Sequence, residues 1–477
     1  MGNHNGILDA RKELGYGKTF LLGFQHVFAM FGATVLVPLL TGLSVSVTLF
    51  CAGIATLWFH FITKGKVPIF LGSSFAFLAA FGTVAPMENG VLVDPSLIPY
   101  ATGGVVCAGA VYVVLAILIQ VFGVKKVMKL FPPVVTGPII VLIGINLSTS
   151  ALSNILTHSE LGKTKEAITE FTSKGGQYYP YAFVIAIFAI LVIIACNIWG
   201  KGMVKVLPIL IGIVAAYIFA IIWGELGLAP KIDFSNLFVH NASQIPGSIN
   251  IGNSYCALPP FHLPKFRPDA IIVFVVVALA AVVEHIGDIA AIGGTCGKNF
   301  IKNPGLTRTL LGDGIGTSLA GLIGGPANTT YSENTGVVAL TGVYDPFVLR
   351  VAAFIAIILS FFPFVDNLIS TIPGEIIGGI SFVVYGLISA VGLRTLVENK
   401  VNFNAMRNVV VAAIILVSGI AFNSQHIVIP VGTVTLEFGG LACAAIFGIV
   451  LNAILPGKDY KFDDDNEPSI IELLDKK

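Results

Sequence analysis

The sequence predicts an all-α polytopic membrane protein of about fourteen transmembrane segments, built as two inverted seven-span repeats. Three observations predict it. The 477 residues are 55% hydrophobic and only 11% charged, with a mean hydropathy of +0.89, whereas soluble domains carry about 25% charged residues. Apolar stretches of about 20 residues, the length that crosses a bilayer, recur along nearly the whole chain. Short motifs in the first half also return in the second half at nearly one offset.

The apolar segments fall at 19–40, 43–63, 67–86, 101–123, 131–151, 180–199, 204–224, 269–292, 308–324, 327–343, 346–365, 372–393, 407–423 and 434–455. The third and tenth make poor helices. Pro68, Gly72, Ser73 and Ser74 interrupt one, and Gly324, Gly325 and Pro326 the other. The polar loops at 152–179 and 225–268 are each too short for a second folded domain. The first eighteen residues are polar, which predicts no cleaved signal peptide. A net charge of +1 excludes a nucleic-acid binder driven by bulk electrostatics. The six cysteines are scattered, with no spacing that suggests a metal site or a disulfide framework.

Orientation follows from the basic residues. With the N-terminus and every second loop inside, only Lys163, Lys165, Lys174, Lys231, Lys265 and Arg267 of the 27 Lys and Arg lie outside. That bias places both termini in the cytoplasm. Asn241-Ala242-Ser243, on the outer side, fits a glycosylation sequon.

The repeat is visible in two places. Gln25-His26-Val27-Phe28-Ala29 in the first span resembles Glu284-His285-Ile286-Gly287-Asp288 in the eighth. Ser73-Ser74-Phe75-Ala76 in the broken third span resembles Thr329-Thr330-Tyr331-Ser332 in the broken tenth. An odd number of spans per half forces opposite topology, the plan of many secondary transporters.

Interrupted segments at matching positions point to a midplane binding site. Non-helical backbone survives at membrane depth only where protein buries it or it lines a cavity. Each break leaves backbone N–H and C=O groups that need partners. Phe75 and Ser332 are matched positions whose N–H groups can donate to the carbonyls of a small planar ligand. Half-helices starting after each break would aim positive ends at the same spot. Glu284 and Asp288, at i and i+4, share a helix face, and Glu333 completes three carboxylates near one locus. Like charges in a low-dielectric site do not all ionise cheaply, so one of these groups is expected to carry a proton, which suits proton-coupled transport. Glu284 and Glu333 can instead accept ring N–H bonds from a ligand.

Supporting roles fall to Gln25 and His26, which either orient the acids or bond between helices, and to Asp313, a clamp beside the site or a solvated helix end. Phe28, Phe77 and Tyr331 can stack on a planar ring or pack between helices. Glu375, after Pro373-Gly374, reads as an interfacial loop residue. No phosphate loop, nucleotide fingerprint, H-E-x-x-H or GxSxG motif is present, so an enzyme is not expected.

The run Glu333-Asn334-Thr335-Gly336, continuing to Thr341-Gly342, resembles the signature of the nucleobase–ascorbate transporter family (nucleobase:cation symporter-2). Gln25-His26 resembles its first-span motif, and the likeness runs from about Phe20 to Leu455. Within the family it is strongest to bacterial members that carry uracil, through QHVFAMFGATVLVP (25–38), LGSSFAF (71–77) and NTTYSENTGVVALT (328–341).

The resemblance implies a core domain from 19–123 and 269–365 (spans 1–4 and 8–11). It implies a gate domain from 131–224 and 372–455 (spans 5–7 and 12–14). Short antiparallel strands in spans 3 and 10 would meet at the midplane. It further implies that Glu284 and Glu333, with the N–H groups of Phe75 and Ser332, hold uracil, with Tyr331 alongside and Asn334 in support. Asp288, Glu284 and His26 would then handle the coupling proton.

Family members commonly work as homodimers, largely through the gate domain, and couple nucleobase uptake to protons, so the resemblance implies a plasma-membrane uracil:proton symporter with no cofactor beyond the proton. Asp288 stands where the uracil-type pattern has a histidine, and an Asp there is more typical of purine-type relatives. Xanthine or another purine is therefore the alternative substrate. Ser332 replaces a glycine, a small change if only its N–H acts. Uracil's edge alternates two N–H donors with two carbonyl acceptors, and two carboxylates with two backbone donors would match it. Such a site would reject cytosine, whose reversed order leaves buried groups unpaired.

Overall fold

A computed structural model describes residues 6–88, 91–123, 132–156, 181–239, 243–424, 427–431 and 434–457. Asn241 and Ala242 of the sequon, Lys125, Lys126, Lys129, Lys163, Lys165, Lys174 and the four lysines after 457 lie outside the described residues.

The chain is mostly helical. The first two helices are α1 (Ala10–Thr41) and α2 (Val45–Ile62). Strand β1 (Leu71–Ser73) and a 3-10 turn at Phe75–Phe77 lead into α3 (Leu78–Val84). A small hairpin, β2 (Met87–Glu88) with β3 (Val91–Leu92), precedes α4 (Ile98–Phe122). Next come α5 (Pro133–Leu156), α6 (Tyr181–Ile198), α7 (Met203–Val206) and α8 (Pro208–Glu225).

After the 226–267 loop the chain forms α9 (Pro268–Cys296), α10 (Leu306–Leu322), β4 (Asn328–Thr330) and α11 (Ser332–Thr341). Then follow α12 (Pro346–Leu359), α13 (Pro363–Ser370), α14 (Gly374–Glu398) and α15 (Met406–Ser424). The hairpin β5 (Ile427–Val431) with β6 (Val434–Phe438) and helix α16 (Gly440–Ile454) close the fold.

Nine helices among the described residues are long and apolar enough to cross a membrane, and the pair α12–α13, bent by 84°, makes a tenth if it is one span. The apolar segments at 67–86 and 327–343 are each a strand followed by a short helix. The segment at 434–455 is likewise part strand, because its short opening run Val434-Thr435-Leu436-Glu437-Phe438 alternates apolar and polar residues before the Gly439-Gly440 break. The helix read as starting at 19 begins at Ala10, with a break at Gly15 (φ 80°).

The helices pack in two groups. One holds α1, α2, α4, α9, α10 and α12; the other holds α5, α6, α8, α14, α15 and α16. Small residues set the closest approaches in each, as they do where lipid supplies no hydrophobic drive. Between α4 and α10, a Cβ on Gly109 would lie 2.4 Å from the Gly314 carbonyl oxygen, and Ser318 Oγ donates to the Val106 carbonyl at 3.0 Å. Between α5 and α14, a Cβ on Gly144 would lie 2.2 Å from the Tyr385 carbonyl oxygen, and Ser389 Oγ donates to the Val141 carbonyl at 3.1 Å.

Candidate binding site where the two broken segments cross

Strands β1 and β4 run antiparallel with Leu71 opposite Thr330, Gly72 opposite Thr329 and Ser73 opposite Asn328. The ladder continues one bond at each end: Tyr331 N–H donates to the Phe70 carbonyl and Ser74 N–H to the Ala327 carbonyl, both at 2.9 Å. The outer edges of so short a pair would be orphaned in lipid. One threonine from the preceding helix covers each. Thr56 Oγ1 accepts from Leu71 N–H at 2.9 Å and donates to its carbonyl at 3.1 Å. Thr317 Oγ1 does the same for Asn328, both at 3.3 Å.

The helices that leave the crossing begin at Phe75 and at Ser332, and neither N-cap side chain, Ser74 or Tyr331, bonds the first turn. Both starts line one cavity of about 230 Å³. Its polar wall is Ser73, Thr329, Thr330, Ser332, Glu284 and Glu333; its opposite wall is Ile140, Ile143, Ile209, Val384, Leu387, Ile388 and Val391. All the polar groups come from the first packing group or from the strands and α11. The aliphatic wall comes from α5, α8 and α14.

The cavity thus gathers Phe75, Glu284, Tyr331, Ser332 and Glu333. Tyr331 is 3% exposed, and its hydroxyl donates to the Ser73 carbonyl at 3.0 Å while lying 3.0 Å from Ser73 Oγ and 3.1 Å from Thr34 Oγ1. Glu284 lies within electrostatic reach of Asp313 and Glu333, and Asp288 within reach of Glu284, His285 and Glu333.

The remaining sequence candidates stand behind this lining. Thr330 Oγ1 donates to Asp288 Oδ2 at 2.5 Å, tying that acid to β4. Asp313, fully buried, pairs with His285 Nδ1 at 2.8 Å, so it clamps α9 to α10 and is no solvated helix end. His26, 1% exposed, faces the Nδ2 of Asn334 at 3.1 Å, and the same amide donates to the His26 carbonyl at 3.0 Å. Gln25 Nε2 donates to Met203 Sδ on α7 at 2.7 Å.

Phe28 is 43% exposed and meets Phe24 edge-on, and Phe77 stacks on Phe274; neither lines the cavity. Glu375 is the buried first-turn acid of α14, 4% exposed. Sequence reasoning named Thr330 only as part of the repeat motif and did not single out Thr34, Thr56 or Thr317. Their common signal is a hydroxyl in an apolar helix or strand, which is frequent enough in membrane helices to point nowhere by itself.

Two further cavities flank the central one. A larger space of about 430 Å³ toward Lys205 shares Ala33, Ile209, Ser332, Glu333 and Leu387 with it. A space of about 290 Å³ beside Leu147, Thr149, Ser150 and Tyr385 shares no lining residue with it. Fold and site define a multi-pass membrane transporter with a small polar chamber between two helix groups.

The chain belongs to the Permease family described by the Xan_ur_permease model, the nucleobase:cation symporter-2 family, which matches residues 17–428; it is a transporter and not an enzyme. It is 37% identical over 439 residues to a probable uracil permease of Haemophilus influenzae, covering 92% of this chain and 94% of that one. It is 36% identical over 452 residues to a uracil permease of Bacillus caldolyticus, covering 95% of each. Among solved structures, the transmembrane domain of the cyanobacterial bicarbonate transporter BicA superposes with a TM-score of 0.59 over 94% of this chain and 99% of that one, at 15% identity. SLC26A9 superposes with a TM-score of 0.62 over 94% of this chain and 66% of that one, at 13% identity. At such identity these two speak for the fold alone.

Proposed function

We propose that the protein takes up uracil by proton symport across the bacterial plasma membrane, by alternating access. The observation that carries this reading is the small cavity lined by Glu284, Glu333 and the uncapped helix starts at Phe75 and Ser332. Two carboxylate acceptors and two backbone donors complement the two N–H and two C=O groups of uracil's edge. Charge-assisted bonds of this kind are strong, and a ligand of reversed order would leave buried groups unpaired. The names of the relatives at 36–37% identity agree with this substrate. A volume of about 230 Å³ lies below the roughly 300–1,000 Å³ of pockets for drug-sized ligands, as suits a nucleobase.

In this reading the chain makes fourteen spans in two inverted repeats, with the broken segments counted as spans three and ten. The matched pairs Thr56–Leu71 and Thr317–Asn328, each closing a strand edge in the same way, support the repeat. Spans 1–4 and 8–11 act as the core, and spans 5–7 and 12–14 as the gate, in keeping with the two packing groups. Asp288, tethered by Thr330, carries the coupling proton together with Glu284 and His26; no other cofactor takes part. Both termini are cytoplasmic, and the protein works as a homodimer through its gate. Continuity of the central cavity with the Lys205 side fits an inward-facing state, since the charge bias puts Lys205 inside.

The test is uptake of labelled uracil into proteoliposomes with and without an inward proton gradient, competed by excess xanthine and thymine. Gradient-driven accumulation that resists xanthine is expected. Accumulation blocked by xanthine, or none with uracil, would transfer the assignment to a purine permease, the substrate class that Asp288 favours.

A further inference from the structure

We propose that a basic site built around Phe347 binds the headgroup phosphate of an anionic phospholipid, with the lipid's acyl chains lying along α12. Arg350 lies in the second turn of α12, with its guanidinium carbon 5.6 Å from the Phe347 ring centroid. Arg11, from the N-terminal end of α1, stands 4.3 Å from the same centroid. Two guanidinium groups gathered on one ring repel each other, and an anion between them removes that cost.

Arg350 lacks a partner of its own. Its Nε is buried with no hydrogen-bond partner, and among the described residues no ion pair involves it. The neighbouring carboxylates are otherwise engaged. Asp345 accepts the Phe347 N–H on Oδ1 at 2.9 Å and the Ala10 N–H on Oδ2 at 3.0 Å, capping the starts of α12 and α1 together. Asp9 holds Lys12 at 3.2 Å and only grazes Arg11 at 3.9 Å.

A third cation completes the rim. The turn after α2 lies against Arg350: a Cβ on Gly65 would sit 3.6 Å from Arg350 Nη2. Lys66 is committed to Asn303 Oδ1 at 2.6 Å. Lys64, exposed and with φ +56°, stays available. The charge bias assigns this face to the cytoplasm, where anionic headgroups meet basic pockets between helices.

The surface beneath the charges selects a lipid over a free anion. Phe354 and Ile358, one and two turns beyond Arg350 on the same helix, are 56% and 58% exposed, and Phe61 on the adjoining α2 is 72% exposed. Inorganic phosphate would gain the guanidinium bonds but nothing from this stripe; a phospholipid gains both.

The experiment uses the full-length protein in neutral detergent, titrated with phosphatidylglycerol, phosphatidylcholine or inorganic phosphate. It reads the unfolding midpoint and the lipid retained in native mass spectrometry. Phosphatidylglycerol is expected to raise the midpoint and stay bound, and the other two additives to do neither. Arg350→Gln weakens the apparent affinity for phosphatidylglycerol by about tenfold, the loss of one charged hydrogen bond. Arg394→Gln, at an exposed pair with Glu398 on α14, leaves it unchanged. Phe354→Ser weakens phosphatidylglycerol binding as well. Should Arg350→Gln lose its monodisperse form, the exposed pair Arg11→Gln with Lys64→Gln gives the same reading. Undiminished phosphatidylglycerol binding in the Arg350 or paired variant overturns the site. Protection by inorganic phosphate equal to that by phosphatidylglycerol, with Phe354→Ser silent, overturns the lipid assignment in favour of a free anion.

Discussion

Gly72→Ala places a methyl group at the centre of the strand crossing. An ideal Cβ there lies 2.4 Å from both Cε2 and Cζ of Tyr331 and 2.7 Å from its hydroxyl oxygen. Real contacts do not fall below 3.0 Å, so the ring must retreat or the strands must part. The ring is poorly placed to retreat. Its hydroxyl is held by Ser73 and Thr34, and its backbone N–H is the last rung of the ladder, on the Phe70 carbonyl. Overpacking of this kind costs about 1–3 kcal/mol, and each hydrogen bond given up adds about 1 kcal/mol.

The clash falls on Tyr331, the residue before the proposed donor Ser332, and on β1, which leads within three residues to the other proposed donor, Phe75. Uracil affinity in detergent, read by equilibrium binding of labelled ligand, is therefore expected to drop by about tenfold or more, since 1.4 kcal/mol is a factor of ten. Gly72→Ala should cost much less in a Tyr331→Leu background, because the two sites are in contact and couple. Affinity within twofold of wild type for Gly72→Ala alone, or strict additivity with Tyr331→Leu, would refute the reasoning.

Four other variants carry expected outcomes. Glu333→Gln should abolish or redirect uracil binding, and wild-type affinity in that variant would remove Glu333 from the site. Asp288→Asn should spare binding more than gradient-driven uptake, and Thr330→Val, which removes the hydroxyl bonded to Asp288, should alter the same uptake in a milder form. Full dependence on the proton gradient in Asp288→Asn would show that the proton travels elsewhere. Gly109→Val should lower the unfolding midpoint by several degrees, because its Cβ would meet the Gly314 carbonyl and Ser318 backbone nitrogen at 2.4 and 2.6 Å and so force α4 from α10; an unchanged midpoint counts against the packing described.

The crossing of the two broken segments was readable from the chain because its chemistry is foreign to lipid. Pro68, Gly72, Ser73 and Ser74, and Gly324 to Pro326, are breakers and hydroxyls in apolar runs, and acids at 284, 288 and 333 stand out against 11% charge. The register of the crossing was not readable, because three-residue strands carry no usable pattern. The aromatic residues misdirected for a related reason. In helices apolar on all sides the period that marks an inner face is weak, so Phe28 and Phe77 looked as eligible for the cavity as Tyr331, which lines it. Asp366 shows the opposite failure. It accepts from Ser44 Oγ and Ser46 Oγ, both at 3.2 Å, and anchors α13 to the start of α2 across more than three hundred residues of sequence, a contact with no local signature.

The two walls of the cavity divide the chemistry in a way that bears on the proposed cycle. Every polar group offered to the ligand comes from the crossing strands, from α11 or from α9, and the facing wall is Ile, Val and Leu. If the ligand moves with its polar partners past the aliphatic wall, no hydrogen bond is broken on the way, and only apolar contact area changes. Had the bonds been shared between both walls, each transit would have orphaned buried donors or carboxylates at about 1–3 kcal/mol apiece, more for charged groups. A site with its polar groups on one body and its sliding surface on the other keeps that cost out of the transition, so tight recognition and movement need not oppose each other.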